Sequence, residues 1–242
     1  MKVDAFIPCF IDQFYPETAA SFITVLEKAG CNVSYNPEQT CCGQPSFNSG
    51  YWPETKTLAA RFLQIFCNAD AIVSPSASCT GFIKNYYPKL FENNEKQLEQ
   101  TRKLIPRIFE FSDFLVNHLK VVDFGAVFNH PVTFHDSCAG LREYGIKNEP
   151  RILLQHVKGL ELVEMENTNT CCGFGGTFSA KFHSISTAMT EQKVEYALKT
   201  GAEYIVSTEA SCLMNMQAYI KKQKLPIKTI HLADVLASEI QG

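Results

Sequence analysis

The chain lacks a long hydrophobic run. No stretch of its 242 residues approaches the roughly 20 apolar residues that a membrane-spanning helix needs. The start, Met1-Lys-Val-Asp-Ala-Phe-Ile-Pro8, has too short an apolar run for a secretory signal, and Asp4 interrupts it. A cytoplasmic location is therefore expected. Charge of one sign is also missing: 22 Lys and Arg against 25 Asp and Glu leave a formal charge of −3, with no sustained basic run. Nucleic acid is not expected as a partner. Nucleotide loops are absent as well. There is no Walker pattern, and in Gly173-Phe-Gly175-Gly176 the third glycine of G-x-G-x-x-G falls at Phe178, so no flavin or nicotinamide site is expected in this chain. The C-x-x-C knuckle of zinc ribbons and the C-x₂-C-x₂-C-x₃-C run of ferredoxins do not occur either.

What the chain does have is cysteine, ten of them, in a doubled pattern. Cys9, the vicinal pair Cys41–Cys42 followed by Gly43, and Cys79 form one set; Cys138, Cys171–Cys172 followed by Gly173, and Cys212 form the other. Corresponding members lie 129 to 133 residues apart. Flanking sequence repeats with them: IVSPSASC ending at Cys79 answers IVSTEASC ending at Cys212, and QTCCG answers NTCCG. The near-constant offset divides the chain into two similar halves, 1–125 and 126–242, each large enough to bury a core.

Both halves alternate strand and helix. Val3–Pro8, Cys31–Tyr35 and Asp70–Ser74 read as strands. Pro16–Ala29, Pro53–Cys67 and a short Thr80–Tyr87 stopped by Pro88 read as helices. In the second half the strands are Val132–His135, Leu160–Met165 and Tyr204–Ser207, and the helices Glu149–Val157, Ser184–Lys199 and Ser211–Lys222. Each half closes alike, around Asp113 and Asp234, which read as structural. The polar stretch Glu92–Arg102 has no counterpart and is expected to be an exposed helix or loop insertion. Such alternation predicts an α/β fold of two similar Rossmann-like halves with parallel sheets, related as an internal repeat. Parallel sheets gather ligands beyond the carboxyl ends of their strands. The cysteines follow strands one, two and three of each half, so four thiols per half should converge.

Cys31 and Cys67 do not recur and read as buried core residues. For the recurring eight, a disulfide framework is unfavourable in a reducing compartment and strained between adjacent cysteines. Three chemistries stay open: an iron–sulfur cluster, for which four thiolates suffice and adjacent side chains can reach different irons; zinc held by four cysteines; and bare redox thiols. Around the second set, His135 suits an acid or base, Arg142 a carboxylate partner, and Lys181 an assisting charge. The amides of Gly43, Gly173, Gly175 and Gly176 suit close approach to a cofactor.

The paired pattern, together with His135-Asp-Ser-Cys138-Ala-Gly-Leu-Arg142-Glu, Cys171-Cys-Gly-Phe-Gly-Gly-Thr-Phe178 and Ser207-Thr-Glu-Ala-Ser-Cys212-Leu-Met-Asn215, resembles the cysteine-rich CCG-domain family. That family includes the cysteine-rich subunit of heterodisulfide reductase and the iron–sulfur subunit of glycolate oxidase, and the likeness covers nearly the whole chain. It implies one or two [4Fe–4S] clusters, with zinc possible in one half, on Cys9, Cys41, Cys42, Cys79, Cys138, Cys171, Cys172 and Cys212. It implies an oxidoreductase subunit carrying electrons in a complex that oxidises L-lactate, or another small 2-hydroxy acid, to the keto acid. Its partners are then a ferredoxin-type iron–sulfur protein and a third small subunit. One departure stands out. Where heterodisulfide reductase has a second cysteine in a final C-x-x-C, this chain has Phe82 and Asn215, which favours a four-cysteine cluster, or an empty or zinc-filled half, over a five-thiolate one. Two other readings remain: a zinc-stabilised scaffold that docks a partner oxidoreductase, and a thiol–disulfide reductase.

Overall fold

Short runs of β-branched and small apolar residues form the strands, because each is covered on both faces: Val3, Ala5, Ile72 and Val73 are fully buried, as are Val132, Ile205 and Val206. The computed structural model describes residues 1–239. The first half contains β1 (Lys2–Ala5), α1 (Cys9–Phe14), α2 (Pro16–Lys28), β2 (Asn32–Tyr35), α3 (Gln44–Asn48), α4 (Trp52–Ile65) and β3 (Ile72–Ser74). It continues through α5 (Ala77–Leu90), α6 (Glu95–Leu104), β4 (Ile108–Glu110) and α7 (Phe111–Asp113), which runs on as a π-helical turn to Leu119. The second half contains β5 (Pro131–Phe134), a π-helical turn at Gly140–Tyr144, α8 (Glu149–Gln155), β6 (Glu161–Leu162), α9 (Thr177–Lys181) and α10 (His183–Leu198). It ends with β7 (Tyr204–Ser207), α11 (Ala210–Gln223), β8 (Lys228–His231) and α12 (Leu232–Ala237).

The two four-stranded sheets have the same order, β2-β1-β3-β4 and β6-β5-β7-β8. Every pairing is parallel, with Val3 opposite Val33 and Ile72 opposite Ile108 in the first sheet and Val132 opposite Tyr204 in the second. In each, the chain leaves the second-placed strand toward one edge and returns on its other side. The switch points therefore lie between β1 and β3 and between β5 and β7, where a doubly wound sheet opens a crevice.

The halves share a core. Phe22, Leu26, Phe111 and Leu115 pack in one cluster with Leu153, Leu154, Val235 and Leu236. Two smaller clusters back the cysteines, one around Phe6, Phe62, Phe82 and Tyr87 and the other around Val194, Ile205, Leu213 and Met216. The matched aspartates each grip the opposite half: Thr18 Oγ1 donates to Asp234 Oδ2 at 2.8 Å, and Tyr144 Oη to Asp113 Oδ2 at 2.6 Å.

Three sequence expectations change. The helix after β3 starts at Ala77 and passes through Pro88. Ser76 starts it early, its Oγ accepting from the Cys79 amide at 3.3 Å, and Pro88 falls in the last turn, where a missing N–H removes little. Cys67 is exposed at the end of the α4 segment, whereas Cys31 is buried. The polar insertion takes the helical form, as α6, but is not exposed all round: Thr101 and, at its end, Leu104 turn inward. Among the described residues no helix is long and apolar enough to cross a membrane.

Candidate metal centres

Each set of four cysteines is assembled from the same elements. Cys9 opens α1 directly after β1, Cys41–Cys42 occupy the loop between β2 and α3, and Cys79 lies in the first turn of α5. In the second half Cys138 follows β5, Cys171–Cys172 precede α9, and Cys212 lies in the first turn of α11. The thiols touch in series. Cys9 meets Cys41, Cys41 meets Cys42, and the Cys42 and Cys79 sulfurs are 3.4 Å apart. Cys138 meets Cys171, Cys171 meets Cys172, and Cys172 meets Cys212.

Both loops place the glycine after the pair for one purpose. The Gly43 and Gly173 amides donate to Cys41 and Cys171 Sγ, each at 3.4 Å. To do so they take φ of 91° and 86°, left-handed values that favour glycine. Hydrogen bonds from Cys42 and Cys9 pull the Cys41 thiol down to about 3, and those from Cys138 and Cys172 pull Cys171 down to about 2. Cys9 and Cys138 are pushed up by the same contacts, and Cys42 and Cys172 by those contacts together with burial.

Above each set lies a cavity. One, about 420 Å³, is lined by Cys9, Cys41, Cys42 and Cys79; the other, about 240 Å³, by Cys138, Cys171, Cys172 and Cys212. They adjoin, sharing Gln44, Pro45, Ser78, Phe174, Gly176 and Glu209 as common walls. Phe174 of the second loop packs edge-on against Phe10 of α1 with centroids 5.8 Å apart, bridging the two halves beside the cleft. Glu209 ties the two ligand-bearing helices together. Its Oε2 accepts from the Ser78 amide at 2.9 Å and Ser76 Oγ at 3.2 Å, and its Oε1 from Ser211 Oγ at 3.2 Å. Burial pushes this carboxyl above its usual range.

The donor set fits a metal group: four soft sulfurs strung side by side, one of them accepting a peptide N–H, beneath open space of suitable size. Buried ionisable groups surround the thiols of the second half. His135 is fully buried behind Cys172 and Cys212, and burial lowers its pKa to about 3. Lys193 is buried on α10 and donates to the carbonyl oxygens of Asn167 at 2.9 Å and Thr168 at 2.7 Å, anchoring the loop that leads into Cys171. Burial pulls its ammonium down to about 8. Asp136, also buried, takes a two-pronged bond from Arg151 at 2.8 and 3.0 Å and so fixes the strand end that precedes Cys138. Removing one partner of such a pair costs about 3–5 kcal/mol.

Gly175 and Gly176 line the cleft, Gly176 from both cavities. Arg142 is exposed, close enough to Cys138 to favour its thiolate, with Nη2 3.5 Å from the Asn169 carbonyl. Lys181 ends α9, exposed and outside the residues lining either cavity. Sequence reasoning missed Asp136, Arg151, Lys193 and Glu209. Lys193 carried a signal: it shares the inward face of α10 with Thr190, Val194 and Ala197, an odd place for a lysine.

A duplicated α/β frame presenting two matched four-thiol sites across a common cleft defines a class of metal-binding proteins. The profile of the cysteine-rich domain, CCG, matches residues 3–84 and 132–217, and the chain belongs to that family. It is similar to lactate utilization protein A of Geobacillus kaustophilus, 41% identical over 236 residues and covering 98% of both chains. It is also similar to lactate utilization protein A of Bacillus subtilis, 40% identical over 238 residues and covering 98% of this chain and 100% of that one. Among solved structures, a hypothetical protein from Helicobacter pylori superposes with a TM-score of 0.63 at 10% identity, covering 98% of this chain and 49% of that one. This chain spans about half its length, and the likeness speaks for the fold alone.

Proposed function

We propose that this chain is a cytoplasmic iron–sulfur electron-transfer subunit of a complex that oxidises L-lactate to pyruvate. The observation that carries the reading is the pair of four-thiol sites, built alike and opening onto one cleft. Cys9, Cys41, Cys42 and Cys79 hold one group, and Cys138, Cys171, Cys172 and Cys212 the other. Two [4Fe–4S] clusters account for all eight thiols, and zinc in one half is the variant form. A bound cluster supplies a one-electron carrier. Around it the protein contributes the thiolates, the Gly43 and Gly173 amides toward sulfur, and the exposed glycines of the second loop, where a ligand can come close. The relatives named for lactate utilization, similar over almost the entire chain, supply the substrate class; glycolate and other small 2-hydroxy acids share its chemistry.

Removing two electrons and two protons from lactate requires an outlet, and the sequence has no flavin or nicotinamide loop. The outlet is another subunit: a ferredoxin-type iron–sulfur protein, with a third small subunit completing the complex. Arg142, exposed beside Cys138, is the candidate partner for a substrate carboxylate; Lys181 is the weaker candidate for that task. The test is anaerobic purification with iron, sulfide and zinc quantification and electron spin resonance on wild type, Cys9→Ser and Cys138→Ser. The expected result is a brown protein with about four irons per occupied half, each variant losing one half's complement. Colourless anaerobic protein with stoichiometric zinc in both halves would sink the electron-transfer reading in favour of a zinc-stabilised scaffold.

A further inference from the structure

His135 is a buried ionisable group of the second half that the four-thiol scheme leaves without work. It follows β5, three residues before Cys138, and its side chain is fully buried. Neither ring nitrogen has a hydrogen-bond partner. An imidazole nitrogen, Cys172 Sγ and Cys212 Sγ all lie within 4.8 Å of one another. His135 is not among the residues lining the cavity; it reaches the thiols from the core side.

The first half shows that the fold does not need a histidine here. The equivalent position is Phe6, which packs edge-on against Phe62 and Phe66 at 5.0 and 5.9 Å and fills the space with apolar contact. A buried polar group left unpaired costs about 1–3 kcal/mol, whereas an aromatic pair adds about 0.5–1.5 kcal/mol of stabilisation. A histidine kept at such a place, its nitrogens unpaired and thiols beside them, has the arrangement of a ligand before its metal arrives. Imidazole is a borderline donor that joins thiolates on both zinc and iron. We propose that His135 is a direct nitrogen ligand to the metal group of the second half, taking the place of one of its four thiolates, so that this site is a mixed imidazole–thiolate centre while the first is all thiolate. The inference rests on the reading that the second half holds a metal, but not on that metal being an iron–sulfur cluster. It also gives Asp136 and Lys193, which flank His135 in the field it experiences, a positioning role: one pins the strand end and the other the loop.

The experiment compares wild type, His135→Phe, His135→Cys and Cys9→Ser, purified anaerobically with natural and ¹⁵N-labelled histidine. Iron, sulfide and zinc are quantified first, and reduced samples are examined by pulsed electron spin resonance. Wild type should show a nitrogen hyperfine coupling that changes with the label. Cys9→Ser should retain it, which assigns it to the second half. His135→Cys should keep iron and sulfide at the wild-type level, lose the coupling, and lower that site's midpoint potential, because an anionic donor replaces a neutral one. It also guards against a His135→Phe protein that fails to fold. Full iron and sulfide in the second half without histidine coupling overturns the assignment and leaves the iron–sulfur reading standing. If the half carries zinc instead, X-ray absorption decides: imidazole scattering lost in His135→Phe upholds the ligand while the cluster reading fails, and its absence in wild type overturns the ligand. A second half that binds neither iron nor zinc overturns both.

Discussion

The two halves use one scaffold for two environments. Gly43 packs on Thr55 and Leu58, and Gly173 on Ser186 and Met189, so α10 aligns with α4 at an offset that puts Lys193 opposite Phe62. With the cysteines in register, His135 stands opposite Phe6 and Asn215 opposite Phe82. Three aromatic positions around the first thiol set are thus a histidine, a lysine and an amide around the second. The loops into the vicinal pairs are anchored differently as well. In the first half Gln39 Oε1 accepts from the Ile7 amide at 2.9 Å; in the second Lys193 holds the loop carbonyls. Even the carbonyl of the second cysteine changes partner, from Tyr87 Oη at 2.8 Å to Asn215 Nδ2 at 2.9 Å. Thiols, glycine amides and sheet order were held fixed while the walls diverged. The aromatic side chains behind the first thiols offer no donor; the histidine, lysine and amide behind the second can orient charge and supply one.

That contrast treats the halves as comparable units, and the sharpest way to break it is to cut them apart. The shared core joins α2 to α12 and Phe111 to the second half's helices. We expect residues 1–125 and 126–242, expressed separately, to give no cooperative melt, and to regain one when mixed. Exposing a large shared apolar surface outweighs a domain stability of about 5–15 kcal/mol. A cooperative thermal transition in either fragment alone would show independent domains.

The sequence made the repeat, the parallel sheets and the gathering of thiols legible, because cysteines at a fixed offset and strand–helix alternation are both long-range regularities. The short helices α1, α3 and α9 were not legible: at five or six residues they are too brief for a 3.6-residue period to register. Ser76 as the cap of α5 was missed because the cap sits inside the serine-rich run before Cys79. His135 was noted for its type, but its burial and its unpaired nitrogens depend on what β5 packs against. Glu209 stands opposite Ser76 in the repeat, and only the folded chain shows these equivalent residues meeting across the two halves.

A second comparison concerns pH. Glu110 and His231 end the last strand of each sheet and cap the helix that follows. Glu110 Oε2 accepts from the Ser112 amide at 2.7 Å, and His231 Nδ1 from the Ala233 amide at 3.1 Å, which leaves the His231 proton on Nε2 to donate to the Pro75 carbonyl at 3.1 Å. Burial acts on the two with opposite consequences. It pushes the Glu110 carboxyl up to about 8, so its contribution to stability is complete below the ordinary glutamate value and is lost as pH rises through about 8. It lowers the His231 imidazole, so the fold favours the neutral ring and loses stability as pH falls below the ordinary histidine value. Urea midpoints measured from pH 5 to 9 should therefore fall toward high pH in wild type and flatten on that side in Glu110→Gln. At about 1.4 kcal/mol per pKa unit the span is roughly 3–5 kcal/mol. A Glu110→Gln protein with the wild-type alkaline slope would refute the protonated cap.

The smallest effect separates the two glycines that look most alike. Both lie at left-handed φ, so alanine at either position carries about 1–2 kcal/mol of backbone strain. Their neighbours differ. A methyl at Gly43 meets the Thr55 Cγ2 methyl at 3.1 Å, a side chain that can yield by a few tenths of an ångström. A methyl at Gly173 meets the Ser186 carbonyl oxygen at 2.5 Å, helix backbone that Thr190 Oγ1 and Phe182 already engage. Overpacking against backbone adds about 1–3 kcal/mol. Gly173→Ala should therefore destabilise the chain by about 2 kcal/mol more than Gly43→Ala, read as a larger drop in urea midpoint. It should also perturb metal retention in the second half first, because α10 must shift away from the Cys171–Cys172 loop. Equal losses for the two variants would mean that the helices behind the loops are equally compliant, and that the halves diverged only in what lines the thiols.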